Sequence, residues 1–222
     1  MQEQLPTINI IIIIITGYIS FISFSNSSIQ NKYIFDVRNI LHSGQYYRII
    51  SSAFLHVNLM HLLFNLFSLY SFGQYIELGI GKIEFLLIYF ISIIGGNLLS
   101  LAIHRKQEYR ALGASGGVSG IIFASIFLYP EGSIFIFPIP FAIPSWTYAV
   151  FFIIVSIYGI QSKKGNIGHD AHLGGAIVGL LVTAILFPEI ILQNFTLFLF
   201  IIFSVTVFLV IYLRKIKNIY NQ

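Results

Sequence analysis

Between Phe85 and Ile103 the chain carries no charged residue, and between Ile8 and Ser25 it again carries none, with an unbroken isoleucine run from Ile10 to Ile15. An α-helix needs about 20 mostly apolar residues to cross a bilayer. These stretches therefore constrain the fold more than any other feature. Seven segments approach the required length, roughly 8–25, 54–75, 84–103, 114–128, 146–160, 171–187 and 195–213, the fifth being short. Neither 85–94 nor 197–213 alternates polar with apolar residues as a transmembrane strand would, so the segments read as helices. The expected fold class is an all-α polytopic membrane protein, with the lipid bilayer as its surroundings. Composition points the same way. Charged residues make up 9% of the chain and hydrophobic ones 57%, whereas a soluble domain carries about 25% charged residues. An ordinary soluble domain, a disordered chain and a nucleic-acid binder are excluded. The chain has no cysteine, which removes disulfides, a thiolate nucleophile and Cys-ligated metals.

The flank Met1 to Gln4 has no positive charge and no small-residue cleavage site follows the first segment, so that segment reads as a span and not as a signal peptide. The longest connections are 26–53 and 129–145, and Pro138, Pro140 and Pro144 stop a helix in the second. With seven spans, eleven of the twelve basic residues lie on one side: Lys32, Arg38, Arg48, Arg105, Lys106, Arg110, Lys163, Lys164, Arg214, Lys215 and Lys217. Only Lys82 lies on the other. The positive-inside rule makes the eleven-residue side cytoplasmic.

Polar groups inside spans are expensive, about 2.5–3.5 kcal/mol for a charged side chain at the helix centre. They concentrate in four places: His56, His61 and Asn65 at the start of the second span, Glu77 at its far end, Ser115 and Ser119 in a glycine cluster opening the fourth, and His169, Asp170 and His172 opening the sixth. Spans two, four and six cross in one direction, so their first turns share a membrane face and a depth. His61 and Asn65 are four apart and share a helix face; His56, five before His61, points elsewhere. Gly116 and Gly120 form a small-xxx-small pair, as do Gly175 and Gly179, and such pairs let helix backbones approach closely in lipid. Packing through them brings Ser115 within hydrogen-bond reach of His172, the minimum apparatus of a nucleophile and its base. Ser115 also stands at a helix start, where unpaired N–H groups favour developing negative charge.

These residues resemble the rhomboid intramembrane serine proteases. Gly113-Ala114-Ser115-Gly116 matches the motif opening the family's fourth helix. Ala171-His172-Leu173-Gly174-Gly175 matches its sixth-helix pattern, and His61 and Asn65 match its second helix. Tyr47-Arg48 stands where the family has Trp-Arg, and Glu77 matches a glutamate near the end of the second helix. The resemblance implies a six-helix catalytic core over 1–187 and a seventh C-terminal helix with a basic tail in 188–222. It implies an endopeptidase that cuts single-span membrane proteins in or near the span, next to a small residue. Ser115 would be the nucleophile and His172 the base, with the oxyanion held by the Ser115 N–H, Asn65 and His61. Gly113, Gly116, Gly175, Gly179, His56, Glu77 and Arg48 would support the site, His56 as part of a wet cavity lining. No metal or organic cofactor is expected. The family also opens its site to the outside, the reverse of the charge count; the motif order is the more specific signal, and we follow it, placing the chain in the cell membrane.

Two positions depart from the pattern or duplicate it. The family commonly carries an aromatic four residues after the nucleophile, stacked on the catalytic histidine, and here that position is Ser119. Ser119 also sits in a second copy of the motif, Gly117-Val118-Ser119-Gly120; Ser115 is preferred because it is at the helix start. The substitution is the one feature favouring an alternative, a catalytically silent relative that binds transmembrane segments for quality control. Other readings are blander. Glu77 reads as a structural hydrogen-bonder and Arg48 as a loop anchor. His169, Asp170 and His172 lack the further ligands a metal shell requires. Trp146, Phe151 and Phe152 are either a lateral gate or ordinary lipid-facing aromatics.

Overall fold

The computed structural model describes residues 5–135, 141–162 and 168–203, apart from 197 and 201. The chain is an all-α polytopic membrane protein. Helix α1 covers Thr7–Ser25, α5 Leu59–Ile80, α6 Lys82–His104, α7 Ser115–Leu128, α8 Ser145–Ser162 and α9 His169–Leu186, with a short α10 at Pro188–Gln193. Three of these, α1, α6 and α9, are long and apolar enough to cross a bilayer singly. Helix α5 together with the segment Arg48–Phe54, bent by 97° to it, makes a fourth if the bent pair is counted as one span. The apolar helices at Ser115–Leu128 and Ser145–Ser156 are shorter. The seventh segment expected at 195–213, with its basic tail, lies mostly outside the described residues, as do Lys163, Lys164, Pro138 and Pro140.

The bend corrects the expected start of the second span. Leu55 is extended (φ −114°, ψ 147°), which ends the 3-10 turn Ser52–Phe54. Asn58 then caps α5 by accepting the N–H of His61 at 2.8 Å. His56 therefore lies in the turn before the helix, not on it.

The connection 26–53, expected to be a loop, is largely helical. Asn26 caps α2 (Ser27–Tyr33) by accepting from Ser28 and Ile29, each at 3.1 Å. Asp36 caps α3 (Val37–Ser43), which Gly44 closes in the left-handed region at φ 64°. Helix α4 (Arg48–Ser51) follows. Arg48 is buried and donates through Nη1 to the carbonyls of Asn31 and Ile34 at 2.9 and 2.8 Å. A cation thus satisfies the free carbonyls at the end of α2, and Arg48 anchors the connection. Two residues, β1 (Phe35–Asp36), pair antiparallel with β2 (Arg110–Ala111), tying this connection to the segment that leads into Ser115. A second small pair joins β3 (Ser133–Ile134) to β4 (Ile143–Pro144).

Helices α6, α7 and α9 form the centre of the bundle, α1 packs on α5, and α8 lies against α9. Lipid tails give two apolar helices no hydrophobic drive to associate, so contact rests on close van der Waals fit. Glycines supply it. A Cβ on Gly175 would run into the backbone of Gly116, one on Gly179 into the backbone of Gly120, and one on Gly174 would stand 2.9 Å from the Gly96 Cα. Around these contacts sits one apolar core containing Leu69, Phe85, Tyr89, Ile121, Phe123, Phe127 and Leu180. Glu77 is buried, and its two oxygens accept the N–H groups of Ile8 and Asn9 at 3.0 and 2.7 Å. It is the anionic cap of α1, supplied by α5.

Candidate active site

Gly113 has φ 135°, a conformation that favours glycine. That kink turns the chain from β2 into α7, and Ser115 becomes the first residue of the helix. Two backbone donors ahead of it are taken. Gly113 donates to the Ser52 carbonyl at 3.0 Å, and Ala114 donates to His56 Nε2 at 3.3 Å. No side chain at the N-cap accepts from the first-turn N–H groups of α7.

The glycine contacts between α7 and α9 set the separation of the two helices, and His172 lies one turn before Gly175. The result is that Ser115 Oγ stands 2.6 Å from His172 Nε2. Both face a cavity of about 980 Å³ that is also lined by His61, Asn65, Ser119 and Phe152. Asn65 Nδ2 donates to the His61 carbonyl at 2.9 Å; the amide carries a second hydrogen that this bond does not use. The His61 ring packs on Gly113, where a Cβ would come within 2.8 Å of its Cε1. Gly113 is thus required twice, by its backbone angle and by the imidazole against it.

His56 differs from expectation on two counts. It is fully buried and does not line the cavity. Nor does it point away from His61, since the rings meet edge to face at 4.9 Å. The turn at 55–58 brings them together. Its protons are fixed by its partners. Ser20 Oγ donates to the Phe54 carbonyl at 2.8 Å and so accepts from His56 Nδ1 at 2.8 Å, which leaves Nε2 to accept from Ala114. His56 therefore ties α1 to the backbone just ahead of Ser115. Ser20 carried no sequence signal for this, being one hydroxyl among several on an apolar helix.

The ring missing at Ser119 comes from elsewhere. Phe152 of α8 stacks on His172 with centroids 6.3 Å apart and planes at 29°, and is itself packed against Phe123 at 5.2 Å. Of the three aromatics considered on α8, Phe152 faces inward, while Trp146 and Phe151 are exposed. The His169 ring stands edge-on to the His172 ring at 6.0 Å. Among the described residues no three His, Asp or Glu side chains are grouped to hold a metal ion.

Residues 43–189 match the Rhomboid domain family. The chain is 30% identical over 178 residues to RHOMBOID-like protein 12, mitochondrial, of Arabidopsis thaliana, covering 72% of this chain and 52% of that one. It is 31% identical over 137 residues to Rhomboid protein 1, mitochondrial, of Saccharomyces cerevisiae, covering 60% and 40%. It is 29% identical over 149 residues to Rhomboid protease GluP of Bacillus subtilis, covering 67% and 27%. The chain thus matches about half or less of the length of these relatives. With the domain match extending over most of the described bundle, the chain belongs to the rhomboid family.

Proposed function

We propose that this chain is an intramembrane serine endopeptidase that hydrolyses peptide bonds in or near the transmembrane segments of single-span membrane proteins. The observation that carries the reading is the 2.6 Å contact between Ser115 Oγ and His172 Nε2 in a cavity at the helix starts. In the proposed reaction His172 Nε2 takes the hydroxyl proton as Ser115 Oγ attacks the scissile carbonyl carbon. The oxyanion that forms accepts from the Ser115 N–H, the unused hydrogen of Asn65 Nδ2 and His61. One such donor is worth about 3 kcal/mol of transition-state stabilisation. The imidazolium returns its proton to the amide nitrogen, which departs as the amine. Water then attacks the acyl-enzyme, again giving its proton to His172, and Ser115 is regenerated.

The catalytic unit proposed is 1–187, with 188–222 an addition to it. The relatives named above support a protease, one by name and two by family. The alternative of a silent binding protein drew on Ser119, and Phe152 supplies a ring on His172 without an aromatic at that position. A fluorophosphonate probe tests the reading. It is expected to label the wild-type chain and the Ser119→Ala variant but not Ser115→Ala. Labelling lost in Ser119→Ala and kept in Ser115→Ala would move the nucleophile one turn down the helix.

A further inference from the structure

A buried carboxylate beside the dyad takes no part in the chemistry above. Asp170 is the second residue of α9, two before His172, and is 4% exposed. A carboxylate in a first helical turn is favoured by the helix dipole, but it gains that at the surface without losing water. This one is dehydrated, which is expensive unless partners replace the water. Its partners come from two other elements. Tyr109, just before β2, donates its hydroxyl to Oδ1 at 3.3 Å. His104, the last residue of α6, places Nε2 3.2 Å from Oδ2, close but without hydrogen-bond geometry. The His104 and Tyr109 rings lie flat on each other at 3.8 Å and 4°. The far side of the loop is held as well, since the Tyr109 carbonyl accepts from Val37 N–H at 3.1 Å. Burial, and next the carboxylate itself, push the Tyr109 phenol above its ordinary range, so the hydroxyl stays the donor.

We propose that Asp170 is a positioning residue: gripped by His104 and Tyr109, it fixes the first turn of α9 against the segment that delivers Ser115 and so sets the separation of Ser115 and His172. The glycines hold α7 and α9 together, and this clamp holds the leading end of α9 to the end of α6 and to the segment that runs on to Ser115. Asp170 has no hydrogen bond to either dyad side chain; beside its direct charge interaction with His172, the proposed route is the backbone of α9. The kinetic part of the proposal rests on the dyad reading; the structural part does not.

The test uses the full chain in detergent and two readouts, the fluorophosphonate labelling rate and amide hydrogen exchange. Asp170→Asn keeps the shape and an acceptor for Tyr109 but loses the charge. It is expected to slow labelling at least tenfold and to speed exchange in 109–115 and 168–173 only. His104→Gln is expected to slow labelling too, and the double variant to be no slower than Asp170→Asn alone. Ile126→Ala truncates the core at the far end of α7 and controls for lost stability. Asp170→Asn labelling at the wild-type rate would overturn the proposal, as would an equal loss in Ile126→Ala at a matched fall in Tm. Absence of labelling in the wild type would remove the dyad reading. The exchange pattern would still decide the clamp, and unchanged exchange in Asp170→Asn would refute it.

Discussion

Adding one methyl group at Gly175 should separate Ser115 from His172, the proposed nucleophile and base. An alanine Cβ there would stand 2.7 Å from the Gly116 carbonyl carbon and 2.9 Å from its Cα, and both are backbone atoms that no rotamer change can move. Ordinary contact begins at 3.4 Å and the Gly116 carbonyl oxygen lies closer still, so α7 and α9 must part by more than about 0.7 Å at this level. Ser115 precedes Gly116 by one residue and His172 precedes Gly175 by one turn, so the shift reaches the dyad almost undiminished. The 2.6 Å contact then lengthens beyond about 3.3 Å, past the reach of a productive hydrogen bond. Overpacking of this kind destabilises by about 1–3 kcal/mol, and a misplacement near 1 Å lowers a rate by about 100-fold. We expect Gly175→Ala to label with fluorophosphonate about 10- to 100-fold more slowly than wild type, with a lower Tm. Gly17→Ala is the control. It also replaces a helical glycine, but its nearest neighbour is Leu66 Cδ1 at 3.6 Å, and there the lost backbone freedom favours alanine by about 0.5–1 kcal/mol. If Gly175→Ala labels within twofold of wild type, the close backbone approach does not set the dyad geometry.

Three further outcomes are expected. Phe152→Leu removes the ring beside His172; a stack worth about 0.5–1.5 kcal/mol predicts labelling slower by about 2- to 10-fold, and Phe152→Tyr should restore it. Glu77→Gln replaces a carboxylate oxygen that accepts an α1 N–H with an amide NH2, and should lower stability by about 1–3 kcal/mol, read as a fall in the midpoint of thermal unfolding. Ser43 is exposed at the end of α3; with the site open to the outside, Ser43→Cys in intact cells should react with an impermeant thiol reagent, and protection would instead support the charge count.

The helices that cross the membrane were legible because their signal is apolar length, which needs no partner to be read. The start of α5 was not. Residues 54–58 are apolar enough to prolong the helix, and only Asn58, capping His61, ends it. The connection 26–53 was misread for the opposite reason, because α2 and α3 are too short to show an amphipathic period and are fixed by single caps, Asn26 and Asp36. In the site, Ser115 and His172 could be paired in advance because glycine spacing implies which helix faces meet. Ser20, Phe152 and Asp170 could not be given their observed contacts. Each acts through contacts that depend on the angle of a neighbouring helix or the path of a loop, and one chain does not encode those in any local pattern.

The ring over His172 has a consequence for how such chains can diverge. Shielding of that imidazole is supplied by a helix remote in sequence from the serine, so two sites, 119 and 152, can trade the same duty. A bulky residue at either would relax the demand at the other, while two small ones would leave the base uncovered. In the proposed reaction the orientation of His172 then answers to α8, so a displacement of that helix is expected to slow labelling without a change at Ser115.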